Sequence, residues 1–526
     1  MYSFLNLFNL NGNQTLNSSE KPVYKLDDIE RLRRFIFLGS ENGSLHINKE
    51  VLTYQNIMCL ENLLDKCRYD DILDVINKCK NTVYKNDYLI YVLARSCSIR
   101  LDDDPLFWKK DFRSDCYKLV LEICTIPTHL FLFIQLYETI NSKIYKTTGW
   151  NVHLKQMINE WYQSKSYNEL MYHVTKYQKR HNWSHKDILR LSHIKAKDNT
   201  INDIFKFITK NKLNDNNPNL RYLIVYNDLK TETDVDKVVE YIDEYNFVKE
   251  QIPYHLLNEP KVWIALIKNM PITALLKSLN KITALNILND YPKILELVKR
   301  KINTIYVHPL QLLIVLKMYN KGQGMKGGLI WEPHMEISSS LNNAFYESFS
   351  KLVPTNKKLL LALDVSSSMS WNTVCGIDCL SAAEVSCAMA MMFEYVEKNV
   401  DIMGFSSEFK NLDISSKVCL EENLERIKDN TFGNTDCSLP FVWASENKKE
   451  YDAVIVFTDN ETNSNIIEPS TALHLYRTEM KTTTKLIVVA LTSNGFSIAN
   501  PDDSNMMDVC GFDNNMYHTI NEFLEM

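Results

Sequence analysis

From Leu26 to about Met318, apolar residues recur at spacings of three and four, most plainly over Val51–Lys66, Ala265–Lys277 and Pro309–Met318. One face of a 3.6-residue helix produces that spacing, so the span predicts a succession of amphipathic helices. Short polar or proline-bearing breaks part them: Thr125-Ile126-Pro127-Thr128, Asn216-Asn217-Pro218-Asn219 and Asn258-Glu259-Pro260. Helices joined by short links predict stacked pairs, an α-solenoid, although no sharp sequence period marks the repeat. The tract from Lys321 to Gly328 holds four glycines and predicts an irregular loop near a domain boundary.

After Lys358 the pattern changes. Leu359–Val365, Val400–Ser406, Ala453–Asp459 and Lys485–Leu491 are short continuous apolar runs, with helical stretches such as Ser381–Lys398 and Glu421–Asp429 between them. Continuous runs are typical of strands covered on both faces. Strand alternating with helix predicts a parallel sheet wrapped by helices, which binds ligands outside the carboxyl ends of its strands.

Composition narrows the class. Hydrophobic residues are 45% and charged residues 24% of the 526, which excludes wholesale disorder and fibrous classes. Glycine is scarce at 13, well below the usual share of roughly 7%. Few tight turns are then available, which argues against an all-β protein. The twelve cysteines form no CxxC pair, and Met1–Pro22 lacks a basic leader and a cleavage site. No secretory signal is read there, and reduced, buried thiols are expected. Cys375 and Cys379 have no second Cys/His pair of matching spacing, so no zinc site is expected. No run of eighteen apolar residues predicts a membrane span. The expected compartment is the cytoplasm, with the nucleus second.

The net charge of −6 conceals an asymmetry. From Lys357 onward, 12 Lys+Arg stand against 26 Asp+Glu, a net of −14, which leaves +8 on the first 356 residues. Asn141–Asp215 alone holds 14 basic against 6 acidic residues, also +8. A localised basic field suits a polyanion. Lys176, Lys179 and Arg180 stand at i, i+3 and i+4, and a helix would place them on one face. Ser184 and Asp187 read as a capping box opening a second helix, on which Lys186, Arg190 and His193 fall at i, i+4 and i+7. The cations are candidates to neutralise phosphates, with Tyr177, Trp183 or His193 to stack on or bond to bases. For His193 alone, a capping or packing role is the stronger reading from the residues.

A second candidate site lies at the predicted strand ends. Asp364, Ser366 and Ser368 follow at spacing two, Thr435 and Asp436 lie on a loop, and Asp459 closes another strand. Hydroxyls with a few carboxylates make a hard, oxygen-only site that suits Mg²⁺. One candidate ion and no candidate general base argue against a metal-dependent nuclease, and no GxSxG, HExxH or Walker A pattern occurs, so no catalysis is expected.

The five residues Asp364, Ser366, Ser368, Thr435 and Asp459 resemble the metal-ion-dependent adhesion site of von Willebrand factor A domains. The resemblance implies direct ligation by the two serines and Thr435. Asp364 and Asp459 would act largely through water, leaving one position open for an acidic residue of a protein partner. Gly433-Asn434 stands where two glycines usually precede the threonine.

Over nearly its whole length the chain resembles the TROVE-domain Ro ribonucleoprotein family. The carrying segments are Ile126–Phe131, Trp183–His193, Pro271–Leu276, Gly433–Pro440, Phe457–Thr462, Thr492–Phe496 and Pro501–Asp503, while Leu213–Tyr226 diverges. The implied fold is α + α/β: a ring-like α-solenoid of HEAT-like helical repeats closed by a Rossmann-like von Willebrand factor A domain. The implied boundaries are an N-terminal segment 1–25, a TROVE helical-repeat domain 26–356 and an A domain 357–526. The implied partners are small non-coding Y RNAs and the 3′ ends of misfolded RNAs, in RNA stabilisation and quality control by a monomer. The family's Y-RNA-binding positions fall on Lys176, Arg180 and His193; Lys179, Lys186 and Arg190 are candidates from charge alone. An alternative expectation is a protein-binding scaffold acting through the metal-dependent domain.

Overall fold

The proline-bearing breaks become helix starts. Pro127, Pro260, Pro292 and Pro309 each stand at the first residue of a helix, where the missing N–H leaves no bond unmade and the fixed φ suits the first turn. The computed structural model describes residues 14–16, 22–24, 27–38, 44–46, 57–81, 83, 86–100, 107–324, 328–374, 377–429, 435–458, 467, 469–491, 499, 503–510 and 516–525. One unit is Leu60–Val298; the second comprises the described residues before Leu60 and those from Lys299 onward. Among the described residues no helix is long and apolar enough to cross a membrane.

The second unit begins with β1 (Gln14–Leu16) and β2 (Pro22–Tyr24), an antiparallel pair, and β3 (Ser44–His46). The first unit is built of helices that pack mainly on near neighbours in sequence. Asp87–Cys97 packs against Phe107–Ile123 and Pro127–Tyr145, and Phe107–Ile123 against Val152–Ser164. Farther on, Arg221–Leu229 packs against Tyr167–Lys176 and Val235–Tyr245, which packs on Pro260–Asn269. Such nearest-neighbour stacking is the solenoid arrangement. The stretch Ala265–Lys277, read as one helix, is two: Pro260–Asn269 and Ile272–Leu276, parted at Pro271, which cannot donate the hydrogen bond a continuous helix needs. Residues 51–56 lie outside the described residues, and helix begins at Met58.

Side chains close the helix ends. Asn151, Ser166, Asp198 and Asp234 each accept a first-turn backbone N–H, satisfying donors that have no partner in the helix. At the other ends, Lys146, His193, Asn211 and Asn246 hold left-handed backbone, the place glycine usually takes. Asparagine is among the side chains that tolerate this region best. That is how a glycine-poor chain still turns.

Two polar features lie inside this unit. The Arg95 guanidinium donates twice to Glu61, Nε to Oε1 at 2.7 Å and Nη2 to Oε2 at 2.5 Å, and both residues are buried. His173 and His185 are also buried. The Nδ1 of His185 hydrogen-bonds the Tyr162 hydroxyl at 2.7 Å. Burial, assisted by His173, lowers the pKa of His185 to about 3, and burial lowers that of His173 to about 4.

Within the first unit the chain also forms β4 (Lys179–Arg180) and β5 (Trp183–Ser184). The second unit is organised by a seven-stranded sheet in the order β10-β9-β6-β11-β12-β13-β3. Its strands are β6 (Lys358–Asp364), β9 (Asn399–Phe405), β10 (Phe409–Asn411), β11 (Ala453–Thr458), β12 (Lys485–Ala490) and β13 (Met506–Cys510), with β3 at the edge. A separate hairpin joins β7 (Thr373–Val374) to β8 (Ile377–Ser381). All ladders of the large sheet are parallel except β9 with β10. The four apolar runs correspond to β6, β9, β11 and β12 within a residue or so at each end. The expected helices are Ala382–Val396 and Leu420–Lys428. Three strands of the large sheet were not foreseen: β3, β10 and β13. One face of the sheet buries Leu360, Ala362, Phe405, Val454, Val456, Leu486 and Val488 with Phe441, Leu473 and Tyr476. Since β9 and β11 flank β6 on opposite sides, the switch point of an α/β sheet falls at the carboxyl end of β6.

Two outcomes follow from the buried polar groups. Glu61→Ala leaves the Arg95 cation buried and unpaired and lowers unfolding free energy by about 3–5 kcal/mol, read from denaturant titration; Glu61→Leu with Arg95→Met recovers most of the loss. The histidines are neutral when folded and protonate on unfolding below about pH 6.5. Their stability contribution is therefore complete above that pH and declines as pH falls toward their folded values. From pH 7 to pH 4 the His185 contribution falls by about 3 kcal/mol, and His185→Phe flattens the pH dependence by that amount.

Candidate nucleic-acid interface and metal centre

The helix Tyr167–Lys176 opens at Ser166, whose hydroxyl accepts the Glu169 N–H at 3.2 Å, and ends at Lys176. The Lys176 ammonium donates to the Tyr172 hydroxyl at 2.8 Å and sits over the Tyr172 and Tyr177 rings at 5.0 and 5.2 Å. Burial acts to lower its pKa, but the Tyr172 hydrogen bond and the nearby Tyr177, Tyr172 and Glu250 oxygens outweigh it, and the net direction is up. Lys176 is thus a fixed cation, half-buried on an aromatic seat.

The expected helical face through Lys176, Lys179 and Arg180 is not what forms. After Tyr177 and Gln178 the chain makes a two-residue-loop hairpin, with Lys179 opposite Ser184 and Arg180 opposite Trp183. His181 and Asn182 occupy the loop at φ of 50° and 64°, the positive pair that a type I′ turn requires. A glycine-free turn gives little warning in sequence. Lys179, Arg180, His181 and Asn182 are exposed, and Arg180 Nη1 donates to the Lys179 carbonyl at 2.7 Å. The hairpin rests on Trp150, whose ring lies 5.6 Å from that of Trp183 and whose Nε1 donates to Glu138 at 2.7 Å. Trp150 was not picked out in the sequence; no local pattern marks it.

The second helix forms as the capping box predicts. His185–Ser192 opens with the Ser184 hydroxyl accepting the Asp187 N–H and the Asp187 carboxylate accepting the Ser184 N–H. Lys186 and Arg190 are exposed on this helix. His193 is exposed too, but it is the left-handed residue that ends the helix, not a further position on its face. All six candidates therefore lie on one helix–hairpin–helix run. Among the described residues no acid forms an ion pair with Lys176, Lys179, Arg180, Lys186 or Arg190.

In the other unit, β6 delivers Asp364 to the sheet edge, almost fully buried. Its Oδ1 accepts the Ser366 N–H at 2.9 Å and its Oδ2 accepts the Thr458 hydroxyl at 2.9 Å. The carboxylate thereby links the end of β6 to the end of β11. The Ser366 and Ser368 hydroxyl oxygens stand 2.9 Å apart. At that distance one hydroxyl donates to the other. Two neighbouring hydroxyls beside a buried carboxylate make an oxygen-only donor set, the chemistry a hard divalent cation takes. Thr435 is buried, and the Asp436 N–H beside it donates to the Ser406 carbonyl at 2.9 Å, fixing that loop to the end of β9. The Asp436 carboxylate, the further acid expected there, instead accepts from the Ser438 N–H and hydroxyl at 2.9 and 2.6 Å. Asp459 and the Gly433-Asn434 pair lie outside the described residues.

Comparison with known proteins agrees with both halves. Residues 15–316 match the family model described as the TROVE domain, and residues 358–524 match the Ro60 vWA domain. The RNA-binding protein RO60 of Caenorhabditis elegans is 28% identical over 581 residues, covering 97% of this chain and 90% of that protein. That of Deinococcus radiodurans is 28% identical over 517 residues, covering 96% and 94%. The crystal structure of the Deinococcus radiodurans RO (RSR) protein superposes with a TM-score of 0.83 at 28% identity, covering 95% of this chain and 99% of that one. The chain belongs to the TROVE-domain family of Ro proteins and carries a von Willebrand factor A domain of the Ro60 type.

Proposed function

We propose that the protein is the RNA-binding subunit of a Ro ribonucleoprotein, binding small Y RNAs and the 3′ ends of misfolded non-coding RNAs in RNA stabilisation and quality control. The observation that carries this reading is the run of cations on the helix–hairpin–helix, Lys176 half-buried and the others exposed, with no ion-pair partner among the described residues. A cation without an acid partner leaves its full charge for a phosphate. Lys176, Arg180 and His193 are the central contacts in this reading, with Lys179, Lys186 and Arg190 flanking them. The names of the Caenorhabditis and Deinococcus relatives support RNA as the ligand class. The protein acts by binding and not by catalysis.

For the second unit we infer a Mg²⁺ ion held by Ser366, Ser368 and Thr435, with Asp364 and Asp459 behind bound waters. When bound, the ion offers a positive position to a carboxylate from a protein partner. Trp371 favours that use: it closes the short helix Ser368–Trp371 beside the serines and is 82% exposed. Exposed tryptophans are over-represented among residues that dominate protein interfaces. The acidic balance of this part of the chain suits a protein partner better than RNA.

The RNA assignment is checked by measuring the affinity of a Y RNA transcript across salt concentrations. K176A/R180A lowers affinity at least tenfold and reduces the magnitude of the log–log salt slope by about two; an unchanged slope removes these residues from the interface. The metal assignment is checked by calorimetric titration with Mg²⁺. Wild-type protein binds one ion, and Ser366→Ala with Ser368→Ala abolishes the heat while leaving thermal unfolding within a few degrees and Y RNA affinity unaltered.

A further inference from the structure

Behind the hairpin lies a cleft of about 370 Å³, within the range of sites that hold small ligands. It is bounded by the end of the helix Tyr167–Lys176, by Ser184 of β5, and by the ends of the helices Asn199–Lys210 and Arg221–Leu229. Its charge is of one sign: Lys186, Lys210 and Lys230 line it, and no Asp or Glu does. Among the described residues none of the three lysines has an ion-pair partner. Three lysines lining one hollow give it a positive field that a bound anion neutralises.

The walls carry a second signal. The Lys230 ammonium stands over the rings of Phe207 and Tyr226 at 5.1 and 4.7 Å, and burial without a compensating acid lowers its pKa. Gln178, held by its Nε2 to the Tyr226 hydroxyl at 2.9 Å, and Asn211 at a helix end add amide groups at the mouth. At the floor, buried His185 keeps its Nε2 without a hydrogen-bond partner. Lysines for a phosphate, amides for a base edge and an aromatic wall are the elements of single-strand RNA recognition. A duplex cannot enter a hollow of this size; one splayed nucleotide can.

We propose that this cleft is a single-nucleotide subsite that takes one unpaired residue of a bound RNA strand, its phosphate among Lys186, Lys210 and Lys230. The proposal rests on the RNA reading of the hairpin, with which the cleft shares Lys186, and adds Lys210 and Lys230 to the footprint. An RNA crossing the hairpin would turn a loop or end nucleotide inward and continue along the basic surface.

The test uses the full chain, a fluorescein-labelled twelve-residue oligouridine and a Y RNA transcript, by anisotropy across salt. K210Q/K230Q lowers oligouridine affinity about tenfold and the magnitude of its salt slope by about one. K277Q/K293Q, which removes two exposed lysines of the same unit away from the cleft, leaves affinity unchanged. A 4-thiouridine version of the oligomer cross-links to the peptide holding Phe207–Asn211. If K210Q/K230Q binds as wild type while K176A/R180A is weakened, the subsite is overturned and the RNA reading stands. Equal losses in the K277Q/K293Q control, or an oligoglutamate peptide competing as well as RNA, also overturn it. If wild-type protein binds neither oligouridine nor Y RNA, both readings fall together.

Discussion

Like charges on one surface repel, and five cations between Lys176 and Arg190 stand together with no described acid paired to any of them. Such a surface persists only where packing beneath it is strong enough to hold the backbone regardless. Here Trp161, Tyr162, Leu170, Ile188 and Ile204 are essentially fully buried. Trp161 lies edge-on to Tyr162 and stacks on His173. Apolar burial of this kind contributes roughly 1.5–3 kcal/mol per large side chain, more than exposed charge repulsion takes away at physiological salt. The core thus preserves an electrostatic deficit that a polyanion can fill. Neutral, buried His173 and His185 belong to the same arrangement: protonating either would put a charge where the core tolerates none.

The turn geometry matters as much as the charge. A continuous helix would spread Lys176, Lys179 and Arg180 along one side at helical rise. The hairpin instead doubles the chain back, so that Lys179 and Arg180 lie across from Ser184 and Trp183, directly before the capped helix that carries Lys186 and Arg190. Tyr172 and Tyr177 fix Lys176 at the entry, and Trp150 fixes Trp183 from below. In the sheet-bearing unit, one buried carboxylate has the comparable organising part. Asp364 ties two strand ends together and so fixes the start of the loop that carries Ser366 and Ser368.

Much of this was legible in the sequence, for physical reasons. Strands buried on both faces leave continuous apolar runs, so β6, β9, β11 and β12 could be read almost to the residue. Ser184 and Asp187 announce a helix start by reciprocal bonding that needs only local sequence. The hairpin was not legible, because its loop uses His181 and Asn182 in place of glycine and its lysines happen to fit helical spacing. The strand β3 was not legible either. Only three residues long, it joins the sheet beside β13, more than 450 positions away in the chain, and no local pattern encodes a partner so remote. Lys210 and Lys230 are brought to the hairpin by tertiary packing, and their spacing in sequence carries no trace of it.

The measurement that bears most directly on the central claim is amide hydrogen exchange of the full chain, free and bound to a Y RNA. If the unpaired cations form the RNA surface, bound RNA slows exchange over the hairpin and the following helix, residues 177–193, and leaves β6 and the Asp364 loop unchanged. Protection confined to residues 357–526, with the hairpin exchanging as in the free protein, would contradict it.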